Sequence, residues 1–227
     1  MKGKINKYYF GGQYVIDYEQ LSIERLKRLL PFLNLKKTDI VCDFACGNGM
    51  LLDLIHHQVK QYYGVDFSKD FIKSAIRRAQ KHQIQNYKFV CSQIIKFCLS
   101  NNNMFNKAFA FDFTGYLNSQ EFFLIFKNIK HSLKKNGVLF IHIPNGDYFV
   151  EILKKINIVM KPFPNYIPTK NNMTGIDYYK TLKKIGYKNI KIEYLSHYIS
   201  LKYLHFLSFI PIFGKYFRAR LFITCKT

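Results

Sequence analysis

The sequence predicts an α/β fold built on a mostly parallel sheet, and three observations carry that expectation. From Thr38 onward, short apolar runs rich in β-branched and aromatic residues alternate with segments of helical period. One of those runs, Ile40-Val41-Cys42-Asp43-Phe44, passes directly into a glycine-bearing turn, Ala45-Cys46-Gly47-Asn48-Gly49, that opens an apolar helix. At 227 residues, 48% of them hydrophobic and 17% aromatic, the chain has the length and apolar surface for one such domain, which excludes wholesale disorder.

The elements follow in order. Ile23, Leu26, Leu29 and Leu30 share a helical face, so a helix is expected to dock on the sheet ahead of the first strand. Strands are expected at Ile40–Phe44, Tyr62–Asp66, Tyr87–Cys91, Lys107–Phe113 and Val138–Ile143, with helices after Gly49, Ser68, Gln93 and Ser119. Ser68 suits a helix N-cap, and Asn136-Gly137 suits the stop of a helix ending in Leu133-Lys134-Lys135. Val159 to Thr174 holds Pro162, Pro164 and Pro168, which favours a long loop, either part of an acceptor pocket or lid or a plain insertion. A last helix at Ile176–Ile185 should stop at Gly186. Strands Lys188–Leu195 and Leu221–Lys226 finish the chain, with an apolar, basic insert between them.

Composition narrows the function classes. Lys and Arg number 35 against 14 Asp and Glu, a formal charge of +21. Such a charge suits an anionic partner such as nucleic acid or a phospholipid surface. The accompanying wealth of Lys, Asn, Ile, Tyr and Phe is equally the bias of an AT-rich coding sequence. Five cysteines, an odd number without CxxC spacing, indicate neither a zinc site nor a disulfide framework, so no metal is expected and the thiols read as reduced in a cytoplasmic protein. No uninterrupted apolar run follows Met1-Lys2-Gly3-Lys4 to suggest a secretory signal, and no run reaches the roughly 20 apolar residues of a membrane span.

The glycine turn points to a nucleotide-like ligand, because ligands of open α/β sheets sit at the carboxyl ends of the strands and glycine lets backbone come close. A dinucleotide is one candidate. Against it, the third glycine of G-x-G-x-x-G would fall at Leu52, and the acidic Asp43 is awkward beside a pyrophosphate. Both features suit a ligand that carries an ammonium and a sulfonium. Asp66, ending the second predicted strand, is placed to accept two ribose hydroxyls, with capping of the next helix as its structural alternative.

Asp43 to Gly49 resembles the D-x-G-C-G-x-G motif of class I S-adenosylmethionine-dependent methyltransferases, and Gly64-Val65-Asp66-Phe67-Ser68 resembles their second motif. The resemblance implies a Rossmann-like, three-layer α/β sandwich whose seven-stranded sheet ends in an antiparallel hairpin. It divides the chain into an N-terminal segment and helix covering the cofactor site, residues 1–37, and a methyltransferase domain, residues 38–227, with an insert at 196–218. S-adenosylmethionine (SAM) is the implied cofactor and S-adenosylhomocysteine its product. Gly47 and Gly49 would border the methionine part, Asp43 its amino end, Asp66 the ribose and Phe67 the adenine, with Ala45 and Cys46 in the same turn. Ala45 replaces the first motif glycine, a change the turn tolerates if its backbone angles stay ordinary. Ser92 stands where the family often has an acid for the adenine amino group, and Ser92 or Gln93 can accept that hydrogen bond.

Asp112 and Phe113 stand at the end of the fourth predicted strand, where the family places residues between cofactor and acceptor, and are taken as cofactor contacts, with Tyr116 and Asn145 as substrate contacts. His142 is the candidate general base for an alcohol acceptor; an amine or acidic hydroxyl needs none, since methyl transfer depends chiefly on in-line positioning. Tyr14, among Tyr8, Tyr9, Gly11 and Gly12, is placed to fold over the cofactor.

The expected reaction is methyl transfer to oxygen or nitrogen of a small molecule, with a sugar or lipid-linked intermediate as one acceptor class. The polar-Pro-Pro-aromatic signature of several nucleic-acid methyltransferases is absent from Asp112-Phe113-Thr114-Gly115, which makes nucleic acid the less favoured partner. An RNA methyltransferase and a non-catalytic SAM-binding partner protein are the alternatives. The aromatic, aliphatic and cationic stretch 198–218 reads as a peripheral contact with the inner face of a membrane or as a capping helix or subunit contact.

Overall fold

The computed structural model describes residues 23–149, 151–152, 173–195 and 202–227. Seven strands form one sheet in the order β3-β2-β1-β4-β5-β7-β6: β1 (Ile40–Phe44), β2 (Gln61–Asp66), β3 (Tyr87–Cys91), β4 (Phe105–Phe111), β5 (Leu133–Pro144), β6 (Lys188–Leu195) and β7 (Arg220–Lys226). β1, β2 and β3 pair in parallel, whereas β7 runs antiparallel to both β5 and β6. This is the mostly parallel α/β sheet with an antiparallel end that the sequence predicts. Among the described residues no helix is long and apolar enough to cross a membrane.

The chain divides into two compact units. In the first, which comprises the described residues up to Phe109 and His131–Gly137, the N-terminal helix is two short turns, α1 (Glu24–Lys27) and α2 (Leu30–Leu33). Pro31 starts the second turn and Asn34, at φ 41°, ends it. Leu26, Leu29 and Leu33 are buried, so Leu33 takes the core position that periodicity assigned to Leu30. Helices α3 (Met50–Ile55), α4 (Lys69–Lys81) and α5 (Ile94–Leu99) follow their strands. Ser68 caps α4 by accepting from the Phe71 amide. A buried ion pair joins Lys107 Nζ to Asp39 Oδ2 at 2.8 Å, and the same ammonium donates to the Asn34 carbonyl.

The second unit comprises Ala110–Lys130 and the described residues from Val138 onward. Helix α6 (Ser119–Ser132) stacks Phe122 on Phe126 at 4.1 Å between ring centroids, and Tyr178 of α7 (Gly175–Ile185) closes on Phe122 at 5.4 Å. Thr174, expected at the end of a loop, forms a capping box with Asp177, and Gly186 ends α7 at φ 93°. Several expected boundaries move, among them the end of β4, which stops at Phe111 and not Phe113 because Asp112 turns the chain at φ 62°. β4 begins at Phe105, two residues early, because Asn103 turns the chain at φ 50° and Phe105 is itself fully buried. Leu133-Lys134-Lys135 belong to β5 and not to a helix, and the left-handed residue is Asn136 (φ 62°) while a Cβ on Gly137 would lie 2.8 Å from the Lys134 carbonyl oxygen.

Candidate active site

The turn after β1 alternates in handedness, with Ala45 at φ 57°, Gly47 at 55° and Gly49 at 75°. Ala45 therefore departs from the expectation of ordinary backbone angles: it holds a left-handed conformation that costs an L-residue roughly 1–2 kcal/mol. The Cys46 amide donates to the Val65 carbonyl and the Gly49 amide to the Cys46 carbonyl, which closes the turn against β2. Gly49 makes room for protein as well as turn, since a Cβ there would meet Phe89 Cζ at 2.8 Å and Ala75 Cβ at 3.2 Å. Asn48 is fully buried, and neither its amide nitrogen nor its amide oxygen has a hydrogen-bond partner. A buried amide without partners costs stability until something polar meets it.

Two carboxylates flank this turn. Asp66, at the end of β2, accepts from the Gly47 amide at 3.1 Å and the Ser68 amide at 2.9 Å, so it ties the turn after β1 to the turn after β2. The Phe67 amide also favours the charged carboxylate, and a carboxylate has about four acceptor positions in all. Asp43 accepts from the Tyr62 hydroxyl at 2.7 Å. Burial pushes its carboxyl up to about 7; the Tyr62 bond opposes this shift and the Asp66 charge adds to it. Burial likewise raises the Asp66 carboxyl, against the backbone amides that lower it. Neither acid makes an ion pair among the described residues, in a chain of +21. Two neighbouring buried acids without a cation are an environment that a sulfonium and an ammonium would relieve.

Of the other residues expected at the cofactor, Cys46, Phe67, Ser92 and Gln93 lie in the same unit and Asp112 and Phe113 in the second. Phe67 is 53% exposed. Ser92 donates its amide to the Asp66 carbonyl and its hydroxyl to the Gln93 carbonyl, and the exposed Gln93 begins α5 without a side-chain cap. Cys46 is buried, its thiol raised by that burial and by the nearby Asp43 and Asp66. Tyr14, and the part of the 1–37 segment before Ile23, lie outside the described residues, as do 159–172 of the expected loop.

In the second unit, Asp112 stands just past β4 at φ 62°, its amide donating to the His142 carbonyl. Its Oδ1 lies 2.9 Å from His142 Nδ1 and 3.3 Å from Arg220 Nη1. The His142 ring is buried edge-on against Phe111, 6.4 Å between centroids. A carboxylate that accepts from Nδ1 fixes the tautomer and leaves Nε2 as the basic nitrogen. Asn145 is fully buried: its amide donates to the Lys215 and Arg218 carbonyls, and its oxygen accepts from the Asp147 amide. Tyr116 ends a short 3₁₀ turn and is exposed, and Phe113 precedes that turn, half-buried.

Sequence reasoning passed over Asn48 and Arg220. Asn48 carried a signal, a polar side chain between two motif glycines; Arg220 carried none, because only the pairing of Pro144 with Arg220 across β5 and β7 brings it near Asp112.

Comparisons with known proteins fit this geometry. No curated protein sequence matches the chain. Among solved structures, magnesium protoporphyrin IX methyltransferase (ChlM) from Synechocystis PCC 6803, with bound S-adenosylhomocysteine, is similar at TM-score 0.68 and 16% identity, with 100% of this chain and 99% of that one covered. A SAM-dependent methyltransferase from Archaeoglobus fulgidus gives TM-score 0.61 and 18% identity, covering 98% of each chain. Phosphoethanolamine N-methyltransferase 2 from Haemonchus contortus, in complex with SAM, gives 0.65 and 16%, covering 98% of this chain and 59% of that one. The profile of the family described as "Methyltransferase domain" matches residues 35–193, from before the glycine turn to β6, and the protein belongs to that family, on a class I Rossmann-like fold.

Proposed function

We propose that the protein is a SAM-dependent methyltransferase acting on oxygen or nitrogen of a small molecule, and that a hydroxyl is the acceptor its residues serve best. The observation that carries the hydroxyl reading is the buried His142–Asp112 pair. Bound SAM supplies a methyl group already activated on a sulfonium. The chain's own residues supply the rest: Asp66 offers acceptor oxygens to the ribose, Phe67 an exposed aromatic ring to the adenine, and the buried Asp43 and Asp66 favour positive charge. His142 Nε2 takes the proton that a hydroxyl gives up as it becomes the nucleophile, and Asp112 stabilises the imidazolium so formed. A sugar or a lipid-linked intermediate offers hydroxyls of this kind. A cytoplasmic setting is supported by the five cysteines, all of them free thiols and four of them buried.

Calorimetric titration with SAM, and separately with NAD, tests the reading. Micromolar SAM binding without NAD binding is expected, and Asp66→Ala should weaken it by roughly 1–3 kcal/mol through lost hydrogen bonds to a charged acceptor. A protein that ignores SAM would overturn the proposal.

A further inference from the structure

Two 3₁₀ segments of the second unit, Lys202–Phe209 and Gly214–Phe217, form a projection that is anchored on one side and apolar on the other. The anchors are polar and specific. Arg218 donates from Nε to the Ser208 carbonyl at 3.1 Å and from Nη1 to the Tyr194 carbonyl at 3.2 Å, while Asn145 holds the Lys215 and Arg218 carbonyls. Gly214 sits so close to the Ser208 backbone that a Cβ would lie 2.3 Å from its carbonyl oxygen, so the turn closes only with glycine there.

On the other side Phe206, Ile212 and Phe213 are 65%, 83% and 60% exposed, with Phe209 and Ile210 exposed between them. Single exposed apolar residues are ordinary, but five within eight positions make a patch of the kind that marks an interaction surface. Ile212 adds a second sign: it stands at φ 70°, a left-handed conformation that a β-branched residue avoids. The fold thus tolerates strain to hold an apolar side chain in water, where burial returns nothing.

Charge selects the occupant. After Glu193 the sequence contains no Asp or Glu, while Lys202, Lys215, Arg218, Arg220 and Lys226 all follow it. A second copy would bring this basic region against a chain of the same +21 charge. An anionic bilayer offers what the projection lacks, an apolar layer for the aromatic tip and negative headgroups for Lys215 within it and for a chain of +21. We propose that the projection around 206–213 docks on an anionic membrane surface, with Phe206, Ile212 and Phe213 entering the headgroup layer. This interaction is independent of the methyl-transfer reading.

Sedimentation with vesicles of phosphatidylcholine, alone or with phosphatidylglycerol, tests it on the full chain. The protein should sediment with the anionic vesicles, less so as salt rises, and a F206S/I212S/F213S variant should bind at least about tenfold more weakly while keeping its melting temperature. Ile212→Gly separates docking from folding, because it relieves the left-handed strain and removes an apolar contact: stability should rise while vesicle binding falls. Wild-type protein that stays in solution with anionic vesicles would overturn the proposal. So would variants that bind vesicles like wild type, including the case in which they only dissociate an oligomer.

Discussion

The Tyr62 hydroxyl donates to Asp43 Oδ2 across 2.7 Å, inside the sheet and at the base of the glycine turn. Because burial lifts the Asp43 carboxyl to about 7, the folded protein keeps a proton that the unfolded chain releases near pH 4. The sign follows: this group's stabilisation is full below about pH 4, declines as pH rises toward 7, and is gone above that. Asp43→Asn keeps an acceptor for Tyr62 and removes the titration. Its melting temperature should gain on wild type steadily between pH 4 and 7, and parallel profiles would show that Asp43 does not titrate there.

Ala45 predicts a stabilising substitution. At φ 57° it lacks only the freedom of glycine, so Ala45→Gly should raise stability by about 0.5–1 kcal/mol, the left-handed relief less the extra entropy of the unfolded chain. Urea denaturation reads this as a higher midpoint at unchanged slope.

Gly64 lies opposite Phe89 across β2 and β3, and a Cβ there would come within 2.5 Å of the ring. Gly64→Ala should destabilise by about 1–3 kcal/mol through overpacking. Phe89→Leu in the same chain should recover part of that loss, and a double-mutant cycle with no coupling would contradict the contact.

For the His142–Asp112 pair, His142→Asn should lower kcat about 10²- to 10⁴-fold with SAM affinity unchanged. Asp112→Asn should lower it less and alter the pH profile of transfer, since the imidazole survives but loses its partner. Equal activity of wild type and His142→Asn would assign the acceptor to a group that needs no base.

The sheet was legible because its strands are short apolar runs between recognisable stops: β1, β3 and β6 keep their expected bounds, and Ser68 and Gly186 cap the helices they were expected to cap. Misplaced boundaries come from tertiary preference overriding local propensity. Leu133-Lys134-Lys135 would extend a helix in isolation, yet here they begin β5. At the turn, residue types carried the ligand chemistry, but backbone handedness did not show in them: alanine at position 45 hides a left-handed angle that glycine would have advertised. Asp66 was legible as an acid at a strand end; that it also accepts from Gly47 follows only from the approach of two loops.

Asn145 follows His142 by three residues on one segment, and Arg220 follows Arg218 by two on another. The Asn145 amide joins these segments at the Arg218 carbonyl, while Arg220 reaches Asp112, the partner of His142. The His142–Asp112 pair and the apolar projection therefore share one attachment, the stretch from Arg218 to Arg220. A substitution at Asn145 would loosen the Arg218 carbonyl and, two residues further on, the Arg220 that holds the partner of His142.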